Sequence, residues 1–134
     1  MKKPKKKSYY RNKCDALNSK LTREEALNTC QRCGIQGPMH AHHIVSKRIR
    51  RLRYDEQNMI CLCSGYHKFR TNSAHENPIA FLEWFKDKYG EIRYNYLIRE
   101  SNNVQPLPFD FYEGEWAKLK ERENKPKELI KCIN

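Results

Sequence analysis

Apolar positions return at roughly helical spacing from Tyr9 to about Asn28, at Tyr10, Cys14, Leu17 and Leu21, with Ala26 and Leu27 further on. Thr22 and Glu25 have the spacing of a capping box, which predicts a break and restart of the helix there. Gly37-Pro38 marks a turn. His40 to Val45 reads as a short strand, Ser46 to Arg53 as a basic loop, and Asn58 to Cys63 as a second short strand rich in apolar residues. Ser64 is placed to cap a short helix through about Thr71. Asn77-Pro78 opens a strong helix, with Asn as N-cap, Pro at the first position and Gly90 past the end. Ile79, Leu82, Phe85 and Tyr89 line one face of it, and such a stripe reads as core. A further helix is expected over Glu91 to Arg99, a loop with two prolines over 101–112, and a charged helix over Glu113 to Asn124 with Trp116 and Leu119 on one side. Short strands between helices give an α+β fold class.

A chain of 134 residues fits one compact domain plus tails. Residues 1–8 read as a disordered basic tail, 9–100 as the domain with flanking helices, and 101–134 as a loop with a C-terminal helical extension. Charge sharpens this picture. Residues 1–53 hold 15 Lys/Arg against 3 Asp/Glu, and residues 54–134 hold 12 against 13, so the net +11 is concentrated in the N-terminal part. Such a field attracts polyanions, phosphate backbones above all. No stretch is long or apolar enough to span a bilayer, and Met1-Lys2-Lys3 is not followed by an apolar signal core, so a cytoplasmic protein with no membrane partner is expected. In a reducing compartment the six cysteines favour metal binding over disulfides. Cys30-Gln31-Arg32-Cys33-Gly34 reads as a zinc knuckle, whereas Cys14 and Cys132 fit no spacing.

The most informative residues lie between these cysteines. His42 and His43 are adjacent, Asn58 follows His43 by fifteen residues, and His67 follows Asn58 by nine. Neighbours on a strand point to opposite faces, so the two histidines cannot easily hold one ion, but they can flank one phosphate. Imidazole suits both tasks, because it titrates near neutral pH and ligates borderline metals. The pattern resembles the HNH, or ββα-metal (His-Me finger), endonucleases. That resemblance implies a ββα-metal core with a zinc-knuckle clasp and flanking helices. It implies His42 and His67 as ligands of a catalytic divalent ion (Mg, Mn, Ni or Zn), His43 as general base, and Asn58 as the brace that orients His43. The superfamily often has another ligand four residues after the helix histidine, where this chain has Thr71; water, Asn72 or His75 are the candidates to fill the gap.

The zinc-containing branch of that superfamily carries two Cys-x2-Cys knuckles. Cys30, Cys33 and Cys63 match three of the four positions, and Tyr66 stands at the fourth. Either Cys61 replaces the missing ligand, giving Cys30, Cys33, Cys61 and Cys63 around a structural zinc, or three thiolates remain. Lys47, Arg48, Arg50, Arg51 and Arg53 occupy the loop before Asn58 and are placed to hold nucleic-acid phosphates, with Lys68 and Arg70 extending the patch. Over residues 10–90 the arrangement is similar to small phage and prophage HNH proteins, including those grouped with the NinG/Rap recombination endonucleases. The expected activity is metal-dependent DNA hydrolysis in recombination, nicking or packaging, with two-strand cutting requiring a homodimer or successive nicks. The alternatives are a non-catalytic zinc-stabilised nucleic-acid-binding module, and an RNase toxin using the same chemistry.

Overall fold

The computed structural model describes residue 2 and residues 7–126; most of the expected basic tail and Cys132 lie outside the described residues. Helix α1 spans Lys7–Glu25, so it begins inside the segment expected as tail. It does not break at Thr22. The Thr22 hydroxyl donates to the Asn18 carbonyl at 2.8 Å, one turn back, and so is not free to cap a new helix. The chain leaves α1 through Leu27 and Asn28, both at positive φ (56° and 49°).

Two strands follow, β1 (His40–His43) and β2 (Met59–Leu62), paired antiparallel with His42 opposite Ile60 and His43 opposite Met59. Both are shorter than expected. Ile44 and Val45 leave the ladder because Asn58 takes over their backbone: the Asn58 carbonyl accepts from Ile44 N and its side chain from Val45 N. The expected short helix is a single wide turn, Gly65–Phe69, closed by Arg70 N to the Gly65 carbonyl at 2.9 Å, and Ser64 makes no side-chain cap.

Helix α2 (Pro78–Tyr89) starts as the sequence indicates, with the Asn77 side chain accepting from Ala80 N. Its buried face differs from the expected one. Phe81 and Phe85 are buried, and Ile79 is exposed. The 81/85 row is the one that packs against Ile60, Leu62 and Leu97. Helices α3 (Glu91–Ser101) and α4 (Phe111–Glu123) complete the chain.

There are two apolar clusters. Leu52, Ile60, Leu62, Phe81, Phe85 and Leu97 knit the sheet to α2 and α3. Cys14, Leu17, Leu21, Tyr54, Phe111 and Leu119 join α1 to α4. Buried Arg122 of α4 reinforces the second cluster, pairing with Glu25 at 2.5 Å and reaching Asn18 at 3.5 Å. The sheet thus has α2 on one side and the α1–α4 pair near the other, which is what positions the site.

Candidate active site

The two adjacent histidines do face different neighbours. His42 lies 5.1 Å from the His67 ring, 5.2 Å from His75 and 5.3 Å from Phe81. The ligating nitrogens of His42, His67 and His75 all fall within 4.8 Å of one another. His75 reaches this set because the chain folds back after the wide turn: Ala74 N bonds the Tyr66 carbonyl and His75 N the His67 carbonyl. His67 Nε2 and His75 Nε2 are 3.0 Å apart, and buried His67 Nδ1 has no partner among the described residues. A tetrahedral ion with bonds of about 2.0–2.1 Å sets its nitrogens about 3.3 Å apart, so a small contraction or spread of this triad accommodates one. Burial and the neighbouring imidazoles push His42 down to about 3 and His67 to about 4, so both are neutral lone-pair donors at pH 7. The three imidazoles fit a divalent ion, with His75 in the place that Thr71 leaves empty. His40, on the same strand face as His42, has its ring tilted 5.0 Å from that of His67 but stands outside the triad.

His43 points the other way. Its Nε2 lies 2.9 Å from the Arg53 carbonyl. A carbonyl can only accept, so the neutral ring carries its proton on Nε2 and its lone pair on Nδ1. Burial holds His43 below its ordinary value, with the nearby Arg53 charge acting in the same direction and the carbonyl bond opposing. A neutral imidazole with one nitrogen fixed and the other free can take a proton from water.

The Arg53 carbonyl is itself held. Asn58, fully buried, accepts from Val45 N at 2.6 Å and donates to the carbonyls of Val45 (3.0 Å) and Leu52 (2.9 Å), clamping both ends of the loop. Asn18 of α1 donates to the Arg53 carbonyl at 3.3 Å. The Arg53 guanidinium is gripped by both oxygens of Asp15, at 2.8 and 2.7 Å, and Tyr54 donates to Asp15 at 2.8 Å. This corrects the expectation for Arg53, whose charge is committed to Asp15 instead of lying open to phosphate. Arg51 is half-buried and donates to the Gln105 carbonyl, which leaves Lys47, Arg48 and Arg50 as the exposed cations of the loop. Asp15, Asn18 and Tyr54 had no motif to announce them. The only signal for Asp15 and Asn18 is that they are polar positions on α1 beside the apolar Cys14 and Leu17, and Tyr54 has none.

The second cluster is sulfur. Cys30, Cys33 and Cys63 have their thiols mutually within 4.8 Å, and Cys33 Sγ to Cys63 Sγ is 3.8 Å. Zinc–sulfur bonds of about 2.3 Å place tetrahedral thiolates about 3.8 Å apart, so this pair is already at zinc spacing. Burial would raise the Cys30 thiol, but backbone N–H groups of Cys63, Cys33 and Arg32 directed at its sulfur outweigh that and lower it. The four-thiolate expectation needs correction. Cys61 is fully buried within β2, stands outside the group, and is pushed up to about 11 by burial. The strand ends at Leu62, so Cys63 has left the ladder and no longer shares the face of Cys61. Tyr66, at the fourth knuckle position, meets the guanidinium groups of Arg32 (4.8 Å) and Arg70 (4.7 Å) over its ring.

Residues 30–72 match the family model described as HNH endonuclease, a span that holds the three clustered cysteines, both strands, His42 and His67. No curated protein matches the chain, and no solved structure does. His75 lies just beyond the matched span.

Proposed function

We propose that the HNH domain of this chain is a metal-dependent DNA endonuclease that hydrolyses phosphodiester bonds. The observation that carries this reading is the division of labour across β1. His42 joins His67 and His75 in an imidazole triad, while His43 presents a free Nδ1 on a ring locked by the Arg53 carbonyl. A module that only bound nucleic acid would have no use for a deprotonated, oriented imidazole beside a metal set. The divalent ion, when bound, supplies Lewis acidity at the phosphate and stabilises the leaving oxygen. His43 accepts the proton of the attacking water at Nδ1. Asn58, Asn18 and Asp15 keep the loop carbonyl where it holds that ring. Lys47, Arg48 and Arg50 carry the charge that draws the phosphate backbone in. Cys30, Cys33 and Cys63 would hold a structural zinc that ties the segment before β1 to the end of β2. We assign the chain to the recombination, nicking or packaging tasks of small phage and prophage nucleases on the resemblance alone.

The test is relaxation of supercoiled plasmid DNA as Mg, Mn, Ni or Zn is titrated in. The native chain is expected to nick with a saturable metal dependence. His67→Ala should shift that dependence to at least tenfold higher metal, the scale of losing one ligand's contribution. Nicking by His67→Ala at unchanged metal concentration would contradict the assigned triad.

A further inference from the structure

Three of the five phenylalanines are core, Phe81, Phe85 and Phe111 at 2%, 0% and 9% exposed, and of the two exposed ones Phe109 lies beneath the Lys7 ammonium. Phe69 is 79% exposed and has no ring partner among the described residues. It is not on a loose loop. It ends the wide turn that carries His67, two residues away, and that turn is closed by Arg70 N to the Gly65 carbonyl and by Ser73 N to the Arg70 carbonyl. Both sequence neighbours, Lys68 and Arg70, are exposed cations.

Arg70 is also pre-placed. Its guanidinium lies on the Tyr66 ring, and its side chain crosses Gly65 so closely that a Cβ there would sit 3.1 Å from Arg70 Nε. The Arg32 guanidinium also lies 4.8 Å from the centre of the Tyr66 ring and donates to the Asn72 carbonyl at 2.8 Å. Neither guanidinium meets a carboxylate among the described residues. On the hydrogen-bonded turn that carries His67 there is thus an exposed ring between cations that meet no carboxylate among the described residues.

Cations alone suffice to hold the phosphates of a stacked duplex. A bare ring between them gains only from a partner with an open π-face, and an unpaired base on a polyanionic strand offers both. Building on the nuclease reading, we propose that Phe69 is a stacking seat for an unpaired base next to the metal site, with Lys68 and Arg70 holding the adjoining phosphates. The substrate class is then nucleic acid with a single-stranded stretch at the cleavage point.

The test measures binding, not cutting. In a His43→Ala background, fluorescence anisotropy compares a short labelled single strand with a duplex of the same length. Phe69→Ala should weaken strand binding about tenfold while moving duplex binding by less than about twofold. Phe69→Trp should restore strand affinity, and its indole emission should be quenched on binding. Equal losses on strand and duplex, or no loss on either, would overturn the inference and leave the nuclease reading standing. The second result would turn attention to a protein partner for the ring. No binding of either DNA would overturn both readings.

Discussion

At the scale of single residues, the account depends on which nitrogen of His43 is free. Because Nε2 is tied to a carbonyl and burial lowers the ring's pKa, His43 is neutral and competent at pH 7. The sign follows directly. A group held below its ordinary value of about 6.5 keeps its base form above that value and loses it only as pH falls further. The acid limb of the kcat profile for nicking is therefore expected below pH 6.5, and a limb at or above 6.5 would show that His43 is not the titrating base. The sequence disclosed His42, His43, Asn58 and His67, because their spacing is fixed by a hairpin and a turn. It did not disclose Asp15 and Asn18. They act across a tertiary contact, and helix periodicity marks a buried position without saying what it bonds.

Elements explain the corrections at the sulfur site. Two residues on one strand share a face only while the strand lasts, and β2 stops between Cys61 and Cys63. A zinc measurement separates the two thiols. Elemental analysis of purified protein is expected to give one tightly held zinc per chain. Cys63→Ser should lose it and melt at lower temperature, whereas Cys61→Ser should keep it. Zinc loss in both variants would restore the four-thiolate arrangement. The helix α2 stripe teaches a related point. Its existence and caps were legible at Asn77, Pro78 and Gly90, but which row faced inward depended on how α2 docks on the sheet, and that placed Phe81 inside and Ile79 outside.

Across the whole molecule, the loop that carries Arg53 is braced by α1, which α4 in turn holds. Arg122 is 8% exposed and reaches Glu25, Glu56 and Asn18, the last of which also supports the Arg53 carbonyl. Glu25 keeps part of its hydration, so removing Arg122 mainly breaks charge-assisted hydrogen bonds and costs about 1.5 kcal/mol. Arg122→Ala is therefore expected to lower denaturant stability by about that amount and to reduce nicking as well. A variant that melts normally would show that α4 does not support the site. The concentration of charge in residues 1–53 was plain from the sequence, and it coincides with the elements that carry His43 and its loop. What the charge count could not show is that Arg53 faces inward to Asp15, so its contribution is to architecture.

The central claim is that His43 activates water for phosphodiester hydrolysis, and single-turnover nicking of supercoiled DNA at saturating metal tests it most directly. His43→Ala is expected to bind DNA and metal as the native chain does, and to nick slower by on the order of 10²–10⁴-fold. Equal nicking rates for the two proteins would contradict the account.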